Sequence, residues 1–99
     1  MNRTETEFSH RLQRQYMEHE IFRWGFEEIT LRWGDLDPIS YTPDFTVIMN
    51  DEVTHKFIEV KGARIWPKDM EKFKAARNQF GHYDFELWQK TRDGWERLY

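Results

Sequence analysis

The chain has 99 residues, a formal net charge of −3, eight Phe, five Trp, four Tyr and no cysteine. That length allows one compact domain, and its core must be largely aromatic, because large rings supply much apolar area per residue where mean hydropathy is low. The composition excludes a disulfide framework, a thiolate zinc site and a surface that is basic all over.

The four histidines, His10, His19, His55 and His82, show no close metal-ligand spacing and read as ordinary surface or half-buried residues. Residues 1–10 are polar and acidic where a secretory signal needs an apolar run, and no stretch approaches membrane-spanning length. The expectation is a cytoplasmic protein without a membrane partner.

In chain order, Thr4-Glu5-Thr6-Glu7 has the pattern of a capping box, with Thr4 as N-cap and Glu7 answering it. Phe8, Leu12 and Tyr16 recur every four residues and set one apolar stripe on the helix that follows, which the pattern carries to about His19 or Glu20. At 100° per residue, Glu5 falls within roughly 20° of the centre of that stripe, whereas Glu7 lies far around the helix. Glu7 is thus free to cap its own helix. Glu5 is aimed at whatever the helix packs on, and a carboxylate facing a core needs a partner or a cation.

Residues 21–26 suit an extended connector or short strand, and residues 29–33 alternate like a half-buried strand. Residues 34–38 carry turn chemistry. Residues 39–49 read as one long strand in which Pro43 marks a bulge or an edge, and residues 54–61 return antiparallel after the polar turn at 50–52. Gly62 ends that strand. A second helix spans residues 68–80, with Met70, Phe73, Ala76 and Phe80 on its buried side, and Gly81 stops it. Residues 82–89 form a strand, Asp93-Gly94 a hairpin turn and residues 95–98 a closing strand. A strand, a crossover helix and a strand imply a parallel pair with a right-handed crossover. The fold class is therefore α/β, a single domain over residues 1–99, with a mixed sheet, flanking helices and the core order α-β-β-β-α-β-β.

Asp44 and Glu59 fall on strands expected to be neighbours, and Lys61 shares the face of Glu59. The apolar Val47, Ile58 and Val60 between them indicate a central position in the sheet. Two carboxylates a few ångströms apart repel, and a divalent cation removes the repulsion; with only oxygen donors, Mg²⁺ or Mn²⁺ suits better than zinc. The Val60 carbonyl lies at the level of the site as a further ligand, and Glu5 from the first helix completes it. A buried ion pair of Lys61 with Asp44 or Glu59 that fixes strand register accounts for the same residues. Between residues 61 and 77, Lys61, Arg64, Lys68, Lys72, Lys74 and Arg77 face only Asp69 and Glu71, which makes a basic stripe or a solvated helix face.

Pro43-Asp44 followed by Glu59-Val60-Lys61 resembles the PD-(D/E)xK nuclease superfamily, with its restriction endonuclease-like core. Tyr41-Thr42-Pro43-Asp44-Phe45 and Glu59-Val60-Lys61-Gly62, with Trp66 shortly after, look more narrowly like phage endonuclease I-type Holliday junction resolvases. That resemblance covers about residues 3–88. It implies that Asp44 and Glu59 bind metal, that Lys61 is the catalytic lysine and that Glu5 is the helix-borne acid, with Glu7 as the other candidate. It further implies Mg²⁺-dependent hydrolysis of DNA phosphodiesters, often on branched DNA, by a homodimer in a phage-infected or bacterial cell. Arg64, Lys68, Lys72, Lys74 and Arg77 are the candidate phosphate contacts, and Trp66 a stacking or a core residue. A non-catalytic DNA-binding or protein-interaction module on the same fold is the alternative.

Overall fold

In the structure, a computed structural model that describes residues 1–99, helix α1 (Arg3–Met17) begins before the expected cap. Asn2 is the N-cap: its side chain accepts from the Glu5 N–H at 2.8 Å, and Glu5 Oε1 accepts from the Asn2 N–H at 2.8 Å. The capping box is Asn2/Glu5 and not Thr4/Glu7, because an Asn two residues earlier satisfies the same orphan N–H groups. Glu7 instead meets Arg3 at 3.5 Å and Lys90 at 3.3 Å. The buried stripe is Phe8, Ser9 and Leu12; it does not reach Tyr16, which is exposed.

The remaining elements are β1 (Arg23–Phe26), β2 (Leu31–Trp33), β3 (Ile39–Tyr41), β4 (Phe45–Ile48), β5 (His55–Lys61), α2 (Pro67–Gln79), β6 (Asp84–Thr91) and β7 (Gly94–Arg97). Five strands form the main sheet in the order β1-β4-β5-β6-β7, and β2-β3 is a separate hairpin. Within the main sheet only β5 and β6 run parallel, joined over α2 as the strand-helix-strand pattern requires. Helices and main-sheet strands follow the order α-β-β-β-α-β-β, with the hairpin inserted between the first two strands.

The expected long strand at 39–49 is two strands in two sheets. Pro43 separates them; it has no N–H for a ladder, so the chain leaves the hairpin there and joins β1 and β5 as β4. Five strands therefore precede α2, where the pattern suggested three or four. Gly34, at φ +97°, gives the hairpin its left-handed turn residue.

Two cores fill the two sheet faces. Phe8 and Leu12 of α1 pack with Ile21, Phe45, Val47, Ile58 and Val60 on one side. On the other, Phe73 and Ala76 of α2 pack with Leu31, Tyr41, Phe57, Phe85 and Leu87. Met70 and Phe80 join this second core only at its margin. Phe57, Ile58, Glu59 and Val60 are all buried, so β5 is covered on both faces, the usual state of a strand with a parallel neighbour. No helix is long and apolar enough to cross a membrane.

A candidate metal centre at the end of the sheet

The antiparallel register fixes the site. Phe45 stands opposite Ile58, which sets the preceding Asp44 opposite Glu59. Phe26 stands opposite Phe45, and the Glu27 N–H continues that ladder by donating to the Asp44 carbonyl at 2.9 Å. Three neighbouring strand ends thus place Glu27, Asp44 and Glu59 in one row across the sheet. Helix α1 brings Glu5 to the same end.

One carboxylate oxygen from each of Glu5, Glu27 and Asp44 lies within 4.8 Å of the others. Asp44 Oδ2 accepts the Val60 N–H at 2.8 Å, while no protein donor meets Oδ1. Burial and the Glu59 charge, with a smaller push from Glu5, outweigh that hydrogen bond and the Lys61 charge, so the Asp44 carboxyl is pushed up to about 7. A carboxylate crowded in this way calls for a proton or a cation.

Glu59 has a different environment. The buried Tyr41 hydroxyl donates to its Oε1 at 2.7 Å, and Lys61 Nζ sits 3.0 Å from its Oε2. Lys61 also reaches Asp69 Oδ2 on the first turn of α2 at 3.4 Å. Burial alone would lower the Lys61 ammonium, but Glu59 and then Asp69 reverse this and raise it, so the lysine stays charged. Burial, followed by the Glu59 charge, drives the Tyr41 phenol far above its ordinary value and keeps it a donor.

Of the residues singled out in the sequence, Glu5 and Asp44 come together, Lys61 pairs with Glu59, and Val60 meets Asp44 through its N–H. Glu59 is turned toward Tyr41 and Lys61. Glu27 was absent from the sequence reading, and so were Tyr41 and Asp69 as partners. Pairing residues 23–26 with residues 45–48 is the one signal that would have found Glu27, since it places that acid beside Asp44.

The donor set fits a hard divalent cation: three carboxylates converge, all donors are oxygen, and the central acid carries a free Oδ1. The basic residues after Lys61 do not form one stripe. By helical spacing Lys68 and Lys72 lie on one flank of α2, whereas Lys74 Nζ and Arg77 Cζ lie 5.5 and 5.2 Å from the centre of the Tyr99 ring on the other. Arg64 Cζ is 4.3 Å from the centre of the Trp66 ring.

No protein-family model matches this chain, and no curated protein sequence does. A solved structure of a Holliday junction resolvase from the archaeal hyperthermophile Archaeoglobus fulgidus is similar over 90% of this chain and 73% of that one, with 17% identity and a TM-score of 0.44. A likeness of that degree carries no inference about activity.

Proposed function

We propose that the protein is a divalent-metal-dependent DNA endonuclease that hydrolyses phosphodiester bonds, with branched DNA as the preferred substrate. The observation that carries this reading is the acid row Glu27–Asp44–Glu59 with Glu5 above it and Lys61 beside it. Structural ion pairing explains Lys61 and Glu59 but not the gathering of Glu5 and Glu27 around Asp44, whose carboxyl is raised to about 7.

Asp44, Glu5 and Glu27 would hold the cation, Mg²⁺ or Mn²⁺, with Glu59 and the Val60 carbonyl next to them. Bound there, such a cation supplies Lewis acidity to a phosphate oxygen and to the attacking water. Lys61, kept charged by Glu59 and Asp69, lies beside the acids, where its ammonium offsets negative charge gathering on the phosphate. In the cation-free protein Asp44 Oδ1 is the position at which a proton is held, and a bound cation would take that proton's place. In the overall step a water oxygen forms a new bond to phosphorus and gives up one proton to solvent, the strand's P–O bond breaks, and the leaving oxygen takes up one proton from solvent. A homodimer would allow two strands to be cut together.

The test is incubation with linear, nicked, flapped and four-way-junction DNA in Mg²⁺, Mn²⁺ or EDTA, beside Asp44→Asn and Lys61→Ala. Cleavage by the native protein that needs metal and is lost in both variants is the expected result. No cleavage of any substrate removes the enzyme reading, leaving a DNA-binding or interaction module. Cleavage that survives both substitutions removes this site.

A further inference from the structure

Five residues separate Lys61 from the start of α2, and they are held in a way the proposed hydrolysis does not need. Gln89 Nε2 on β6 donates to the Gly62 carbonyl at 3.2 Å and to the Ala63 carbonyl at 3.1 Å, which pins the chain as it leaves β5. Ile65 turns inward and packs on the second core. At the far end the Trp66 carbonyl accepts from Asp69 and Met70 N–H groups at 3.0 and 3.2 Å and starts the helix. The backbone under Arg64 and Trp66 is therefore anchored at both ends and in the middle, at a fixed reach from Lys61.

What that anchored loop displays is a large ring. Trp66 is 56% exposed and its side chain caps nothing. The exposed Arg64 guanidinium lies over the ring, and Lys68 follows two residues later. Arg64 and Lys68 flank the ring in the chain, and the nearest acid that follows, Asp69, is paired with Lys61 at 3.4 Å. An indole backed by a guanidinium stacks well with a planar heterocycle, and flanking cations suit the phosphates on either side of it.

We propose that Trp66, backed by Arg64, is a stacking platform for an unpaired base of a DNA strand. The substrate class of the neighbouring site is then DNA with unpaired nucleotides beside the scissile phosphate, not continuous duplex. The statement about substrate class rests on the nuclease reading; base stacking itself does not. Bases in intact duplex are stacked on each other, and only an unpaired or splayed base offers a free face to an exposed ring.

The test uses short DNAs carrying 2-aminopurine either at an unpaired position or within a duplex of equal length. They are titrated in EDTA with the native protein, Trp66→Ala and Trp66→Phe, after circular dichroism confirms that each variant is folded. The native protein is expected to quench the unpaired fluorophore and to bind that DNA about tenfold more tightly than duplex, a factor in the range single base–aromatic stacks supply. Trp66→Ala should lose both effects and keep its duplex affinity, and Trp66→Phe should retain most of them. The proposal is overturned if Trp66→Ala stays within twofold of native on unpaired DNA, or if it weakens both DNAs equally. A change of dimer to monomer with DNA binding unaltered also overturns it and makes the ring a protein contact. Trp66-dependent binding without cleavage in Mg²⁺ would remove the nuclease reading and leave the platform. Cleavage indifferent to Trp66 would do the reverse.

Discussion

The Tyr41 hydroxyl donates a 2.7 Å hydrogen bond to Glu59 Oε1, and both residues are buried. Tyr41 closes the β2-β3 hairpin and Glu59 lies in the centre of the main sheet, so this bond ties the inserted hairpin to the site. A buried carboxylate that loses such a donor is left under-solvated. Tyr41→Phe is expected to lower unfolding stability by about 1.5–3 kcal/mol, the range for hydrogen bonds to charged groups. Urea titration of the two proteins checks this, and an unchanged midpoint would mean that the bond carries no net stability.

Asp44 gives the protein a pH dependence whose sign follows from its raised carboxyl. The folded, cation-free protein holds this proton up to about pH 7, while the unfolded chain releases it near the ordinary value of 3.8. The unfolded state therefore binds fewer protons between those values. The contribution is fully present below the lower value and is lost as pH rises through the upper one, on the order of 2–4 kcal/mol in all. Asp44→Asn should flatten this fall. Above pH 7, in EDTA, the variant should be the more stable of the two in thermal melts, and added Mg²⁺ at pH 8 should raise the melting temperature of the native protein but not of Asp44→Asn.

Glu27 and Glu7 provide a paired comparison. Glu27 shares the cluster with Glu5 and Asp44, whereas Glu7 is engaged by Arg3 and Lys90. Glu27→Gln is expected to weaken Mn²⁺ binding by about tenfold, or about 1.4 kcal/mol, and Glu7→Gln to leave it within twofold. Calorimetric titration of both variants decides this. Equal affinities would exclude Glu27 from the site.

Much of this arrangement was legible in the sequence where periodicity and local chemistry agree. The apolar Val47, Ile58 and Val60 marked a central position in the sheet, the strand-helix-strand pattern gave the parallel pair, and the stripe geometry of α1 set Glu5 apart as the acid that reaches Asp44, although Glu5 and not Glu7 also closes the capping box. The misread positions are those decided at longer range. Asn2 took the cap from Thr4 because the helix could start earlier at no cost in packing. Pro43 divided an apparently continuous strand because its two halves pair in different sheets, β3 with β2 and β4 with β1 and β5. Glu27 stayed hidden because its place beside Asp44 depends on the pairing of residues 23–26 with residues 45–48, which no local pattern encodes.

Thr46 offers a stability gain unrelated to the carboxylate cluster. Its Oγ1 is buried without a hydrogen-bond partner, two residues beyond Asp44 in β4. Replacing the hydroxyl by a methyl of similar size removes a desolvation penalty and suits a strand. Thr46→Val is expected to raise unfolding stability by about 1 kcal/mol, read as a higher urea midpoint at unchanged slope. A lower midpoint would show that the hydroxyl is satisfied in solution.

The central claim is that acids from separate elements hold one divalent cation at the end of the sheet. Anomalous diffraction from crystals soaked in Mn²⁺ tests it most directly. The expected result is a peak within bonding distance of Asp44 Oδ1 and of Glu5 or Glu27, absent from crystals of Asp44→Asn. A soaked crystal with no peak there, or with manganese only at surface carboxylates away from Asp44, would contradict it.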